Sequence, residues 1–248
     1  MLEPSLLALI AVIFLIAGVV KGTVGIGLPT ASVGLMSQVI EPRTAIALVV
    51  FPSLLANAWQ IWRAGRVAEM LRRFWVYLVC LMGVIGLVST FLTGALETQT
   101  LMVVLGAVIV LFSVMSLAWQ PPFLPARYDK TGQAVSGIAS GALGGMTGIW
   151  APPMVTYLMA RRVEKDAFVA ATGVMIFLGT LPLIGGFWAN GMITGPLAVI
   201  SLAMTLPAIA GFQIGEQLRR RLDADRFRKV VLLVFLVMGL NLIRRALI

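Results

Sequence analysis

Glycines and prolines set twice at one spacing inside apolar sequence, with two threonines and one lysine among them, are the residues here with chemistry to offer. Gly18-Val-Val-Lys21-Gly22-Thr23-Val-Gly25-Ile-Gly27-Leu-Pro29 recurs without a gap, 123 residues later, as Gly141-Ala-Leu-Gly-Gly145-Met-Thr147-Gly148-Ile-Trp150-Ala-Pro152. Nine of the 31 positions from Gly18 to Leu48 match their counterparts, where composition alone gives about three. A break of this kind frees backbone N–H groups and starts a half-helix whose positive dipole end points at the break. Proline fits the first turn of that new helix, where a missing N–H costs nothing. Two such ends meeting from opposite sides make a site for a small anion. Glycines let the backbone approach the ligand, and Thr23 and Thr147 add hydroxyl donors. The candidate substrate-binding residues are Lys21, Gly22, Thr23, Gly25, Gly27 and Asn57 in the first half, and Gly145, Thr147, Gly148 and Trp150 in the second. A packing role competes for some of them. Gly18, Gly22, Gly141 and Gly145, spaced by four, also suit close helix contact, although packing does not require the matched proline break.

Lys21 is the only basic residue inside an apolar segment, and a charge at mid-membrane costs ~2.5–3.5 kcal/mol on insertion scales. Either it faces a cavity and attracts the anion, or it snorkels to the nearer interface. Asn57 and Gln60, with Thr172 and Thr180 in the other half, are cavity-wall groups or hydrogen-bond glue between helices. Trp150 sits at a break and is placed to line the site. Trp59, Trp62, Trp75 and Trp119 lie at the ends of apolar stretches and read as interfacial anchors. Glu41 and Glu164 match between the copies but stand just before helices, where they read as helix-start charges.

The elements that must position these groups lie in a bilayer. The chain of 248 residues is 60% hydrophobic and 12% charged, with a mean hydropathy of +1.00, a balance that leaves no room for a water-soluble domain. Its net charge of +9 sits in short loops and reads as topology-setting charge, not as a nucleic-acid surface. One cysteine and no histidine exclude an internal disulfide and remove the commonest metal ligand and proton shuttle. No carboxylate lies inside an apolar span, so an enzyme, a metal-cation permease and a buried proton relay all lack their residues, and no metal or cofactor is expected. Met1-Leu-Glu-Pro-Ser carries no basic run, so no cleaved leader is expected.

Six stretches have the ~20-residue length of a single crossing: 44–62, 74–92, 101–119, 167–189, 196–214 and 230–248. The two repeat segments, 5–40 and 134–162, are too long for one crossing and are broken in the middle. If each crossed once, the basic loops at 63–73 and 219–229 would fall on opposite sides, against the positive-inside rule. If each enters and returns on one side, fifteen loop lysines and arginines share the cytoplasmic side, leaving Arg43, Arg244 and Arg245 outside. The expected fold is therefore an all-α integral membrane protein of two inverted-topology repeats, each a broken helical hairpin plus three transmembrane helices. The first repeat covers 1–119, a cytoplasmic Pro-rich linker 120–133, and the second repeat 134–248.

At Lys21-Gly-Thr-Val-Gly-Ile-Gly27, at 45–62 with Pro52, Asn57, Trp59 and Gln60, and at Gly145-Met-Thr-Gly-Ile-Trp-Ala-Pro-Pro153 followed by Lys165-Asp-Ala-Phe-Val-Ala-Ala-Thr172, the chain resembles the sulfite exporter TauE/SafE family of bacterial permeases. The resemblance covers essentially the whole chain. It implies a multi-pass protein of the cytoplasmic (inner) membrane moving sulfite or an organosulfonate such as sulfoacetate outward. Another small organic or inorganic anion is the alternative substrate. Two departures stand out: Val169, where many relatives carry arginine, and the Gly27/Trp150 pair, which departs from the glycine-rich run of relatives and implies a change in pocket size.

Overall fold

The computed structural model describes residues 3–118, 120–219 and 224–248. Eleven α-helices follow in order: α1 Pro4–Val24, α2 Leu28–Met36, α3 Pro42–Ala64, α4 Val67–Arg73, α5 Trp75–Phe91, α6 Thr98–Ala118, α7 Asp129–Thr147, α8 Ala151–Ala160, α9 Lys165–Ala189, α10 Gly195–Arg219 and α11 Ala224–Leu247. No strand occurs among the described residues. Seven of the helices are long and apolar enough to cross a membrane, so this is a multi-pass membrane protein. The six expected crossings correspond to α3, α5, α6, α9, α10 and α11; the seventh is α1, whose 21 residues reach ~31 Å at 1.5 Å per residue. The first broken segment is thus unequal, a spanning-length arm followed by the nine residues of α2. Trp119, Arg220 and Arg221 lie outside the described residues.

The helices end where the glycines stand. α1 stops at Gly25 (φ +90°) and α7 at Gly148 (φ +70°), each left-handed and donating its N–H back to Lys21 O (2.7 Å) and Gly144 O (2.8 Å). Left-handed φ carries no Cβ penalty at glycine, which makes these residues C-caps. α2 and α8 restart with proline in the first turn. α8 folds back antiparallel on α7: Ser140 Oγ donates to Trp150 O (3.3 Å), Ser136 Oγ to Pro153 O (2.7 Å) and Tyr157 Oη to Asp129 Oδ1 (2.9 Å).

α3 and α9 form the centre, with 61% of their apolar windows buried against 33–39% for α5, α6, α10 and α11. The outer helices show Val79, Leu87, Val199, Leu206 and Val237 to their surroundings, which suits lipid contact because a bilayer imposes no penalty on apolar surface. Pro52 removes the N–H that would close the α3 turn onto Leu48 O; Ser201 Oγ of α10 donates to that carbonyl instead, at 2.7 Å.

Charge sorts by end. At one end Arg63 pairs with Glu216, Arg66 with Glu69 (2.7 Å) and Arg161 with Asp129 (2.7 Å), while Arg228 donates to Ser116 O (3.3 Å). At the other, Arg43 donates to Leu96 O, Arg245 to Ser37 O and Gln38 O (3.0 Å each), and Arg244 to Asn241 Oδ1. We call the first the basic end. Two details were not expected. The basic loop after α3 folds into the short helix α4, and α7 begins at Asp129, inside the stretch read as linker. Gln133 explains the second: it is buried, its amide donating to Arg73 O and Asp129 Oδ2 and accepting from Tyr77 N, so its polarity is spent inside the protein.

Candidate functional site

Two kinds of glycine separate at the breaks. A Cβ at Gly22 would lie 2.8 Å from Glu216 N, one at Gly18 2.9 Å from Phe212 N, one at Gly141 2.7 Å from Val84 Cβ and one at Gly145 2.6 Å from Val88 Cβ. These four let α1 sit against α10 and α7 against α5, the packing role their spacing allowed. Gly25, Gly27 (φ +104°) and Gly148 instead have room around them and need glycine for backbone conformation.

The two restarts meet. Ile26, Gly27, Pro29 and Thr30 of the first break and Gly148 to Ala151 of the second line one cavity with Ile176 of α9. Its volume is only about 10 Å³, at the limit for a single water. The expected central site between the tips is therefore closed in this structure. Trp150 is part of its lining, with the buried indole packed against Gly144 and toward Gly179. The hydroxyls are also committed, Thr23 to Val19 O and Thr147 to Leu143 O (2.7 Å) while accepting from Ile149 N (3.1 Å). Their protons are spent on their own helices, so as ligand donors they would first have to break those bonds.

Polar room exists beside the first break, toward the basic end. Lys21, Gly22 and Gly25 of the α1 terminus, Gln60, Arg63 and Ala64 of α3, Val169 of α9, and Phe212, Glu216 and Arg219 of α10 line a cavity of about 110 Å³. Lys21 is fully buried; its ammonium donates to Asn57 Oδ1 at 2.7 Å and lies 5.9 Å from the centre of the Phe212 ring. Asn57 is itself held by donating to Ser53 O at 2.6 Å, so it positions the lysine and does not line the cavity. One of the three ammonium protons is used there. The Arg63–Glu216 pair spans the mouth between α3 and α10, and outside it opens a wide recess with Trp59, Lys165, Asp166, Gln213 and Gln217.

Of the sequence candidates, Lys21, Gly22 and Gly25 belong to this cavity, Asn57 supports it, and Gly27, Gly148 and Trp150 belong to the closed junction. Thr23, Gly145 and Thr147 are bound up in helix packing and intrahelical bonds. Gln60 is a polar wall group in the sequence as well. The sequence reads Arg63 and Arg219 as loop charge and gives no sign of Glu216. A signal existed for part of this: Asn57, Gln60 and Arg63 recur every three residues, one face of a helix. Glu41 and Glu164 stand at the starts of α3 and α9, their carbonyls accepting from Ala45 N and Phe168 N.

The family model described as "Sulfite exporter TauE/SafE" matches residues 10–242. A Bacillus subtilis (strain 168) protein named "Putative niacin/nicotinamide transporter NiaP" is 24% identical over 143 residues, which cover 58% of this chain and 34% of that protein. The chain thus spans about a third of the length of this curated relative. No solved structure matches.

Proposed function

This chain belongs to the sulfite exporter TauE/SafE family of membrane transporters, and we propose that it exports a small sulfur oxyanion, sulfite or an organosulfonate such as sulfoacetate, across the bacterial cytoplasmic membrane. The observation that carries the reading is Lys21: a fully buried ammonium, aimed by Asn57, on the wall of a small cavity that also holds two arginines. A buried cation is too costly to be incidental in a membrane protein and marks a substrate path by default. About 110 Å³ is several times the ~10–15 Å³ that one water needs on the same measure, room for a small oxyanion. An inside-negative potential favours exit of a monoanion by ~2.3 kcal/mol per 100 mV, so a relay carried by the protein is unnecessary. In proteoliposomes holding sulfite at matched pH, an imposed potential alone is expected to drive efflux. Sulfite movement that ignores the potential would sink the uncoupled mechanism.

The basic end is the cytoplasmic side in this reading, and the halves are inverted repeats. Contact exchange supports it. Gly25 opposes Val169 while Gly148 opposes Ile46, and both members of the second pair stand 123 residues from their counterparts in the first. Gly18 meets Ala208 as Gly141 meets Val84, and Gly22 meets Phe212 as Gly145 meets Val88. Such crossing-over, each hairpin packed on the other half, is what a pseudo-two-fold axis in the membrane plane produces. Reporter fusions at residue 248 are expected to report from outside, and fusions near residue 126 from the cytoplasm. A cytoplasmic C-terminus would defeat the arrangement. Substrate access from the basic end then leads past Arg63–Glu216 to Lys21, with Trp150 and the closed junction as the outward barrier.

A permease for another small anion is the second reading, because the Bacillus subtilis relative carries the name of a niacin/nicotinamide transporter. Efflux of nicotinate with no efflux of sulfite, in the same vesicles, would favour it.

A further inference from the structure

The Lys21 cavity contains a hydrogen-bond acceptor with nothing to accept. Gln60 is buried, and its side-chain nitrogen donates to Val169 O at 2.7 Å and to Thr172 Oγ1 at 3.4 Å. A backbone carbonyl can only accept, so the amide cannot be turned the other way without placing oxygen against oxygen. The amide oxygen is therefore left over, and Gln60 Oε1 is buried without a partner. A buried carbonyl in that state is a standing cost, and groups of this kind call for an explanation. Gln60 lines the same cavity as Lys21, Arg63 and Arg219. Lys21 and Arg219 suit the charged oxygens of an anion, whereas Arg63 is paired with Glu216; the unpartnered acceptor on Gln60 does not suit them.

Resting on the reading of this cavity as the anion site, we infer that its ligand is a monoanion carrying its own hydrogen-bond donor: an oxyanion still protonated on one oxygen, hydrogensulfite in place of the sulfite dianion. Lys21 and Arg219 meet the anionic oxygens, and Gln60 Oε1 accepts the remaining O–H. A dianion would present only lone pairs to Gln60 Oε1. The proton then travels on the substrate, so a chain without histidine, whose carboxylate at this cavity, Glu216, is paired with Arg63, can move the ion that predominates as pH falls. The charged groups that line the cavity with Gln60 are Lys21 from α1, Arg63 on its own helix, and Glu216 and Arg219 from α10, with Lys165 and Asp166 at the start of α9 in the recess outside.

The test is calorimetric titration of the purified full chain with sulfite and with methanesulfonate, from below to above the second ionisation of sulfite. Methanesulfonate has the charge and nearly the size of hydrogensulfite but no proton to donate, so it reports any titration of the protein's own groups. Above that ionisation sulfite affinity is expected to fall about tenfold per pH unit more steeply than methanesulfonate affinity, as the protonated fraction falls. Gln60→Leu is expected to weaken hydrogensulfite about fivefold or more, the loss of one hydrogen bond, and to leave methanesulfonate within about twofold. Thr172→Val, which removes the weaker α3–α9 contact and the hydroxyl's own bond to Val169 O (3.0 Å), should resemble wild type. Sulfite affinity that falls no more steeply with pH than methanesulfonate affinity, or that Gln60→Leu does not change, overturns the inference while the anion site stands. Binding of neither ion at any pH overturns the site as well.

Discussion

Lys21→Met is expected to lower anion affinity about 10- to 100-fold, the weight of a charge-assisted hydrogen bond in a site closed to water. No other cation of the cavity is comparably buried. Arg63 is half exposed and already paired with Glu216, so solvent screens it and Arg63→Gln should cost only a few-fold. Methionine keeps the length and apolar stem of lysine, which limits repacking. It does leave Asn57 Oδ1 without its donor. The double variant Lys21→Met/Asn57→Leu removes that orphan and is expected to recover thermal stability in detergent without recovering binding. The split between the two readouts is what matters. Wild-type affinity in a stable Lys21→Met protein would make the lysine a structural group and move the site elsewhere.

Gly211→Val is expected to do the largest damage to the fold. A Cβ at Gly211 would overlap the backbone of Leu15, with the carbonyl carbon 2.9 Å away, and Gly18, Gly22 and Gly215 complete the same close seam between α1 and α10. Backbone has no rotamer with which to yield, so the helices must part, at about 1–3 kcal/mol or more. Parting them also shifts Lys21 and Phe212, which share that seam. Gly83→Ala and Gly185→Ala are the controls: nothing lies within 4 Å of a Cβ at either position, and an exposed helical alanine should gain about 0.5–1 kcal/mol. Thermal unfolding in detergent reads all three. A Gly211→Val protein as stable as the controls would mean that α1 and α10 are not held this closely.

The amino-acid sequence by itself determined the family, the membrane setting, the apolar crossings to within a few residues of most helix ends, and the places where two helices must stop. Those properties are local. Apolar length, a glycine able to hold positive φ at 25 and 148, and a proline in the next first turn act within one or two turns of chain, so composition and spacing express them directly. Tertiary structure alone decided which glycines are seams: Gly22 lies against α10, whereas Gly25 has room around it and ends α1. It also decided where an anion can fit. Matched breaks suggested one shared site, yet the junction between them holds only about 10 Å³, and the cavity that carries Lys21 lies beside the first break. Nor could spacing bring Glu216 and Arg219 to Lys21, nearly 200 residues away: that meeting exists because four glycines let two helices touch, and contact between distant segments is a property of packing, not of pattern.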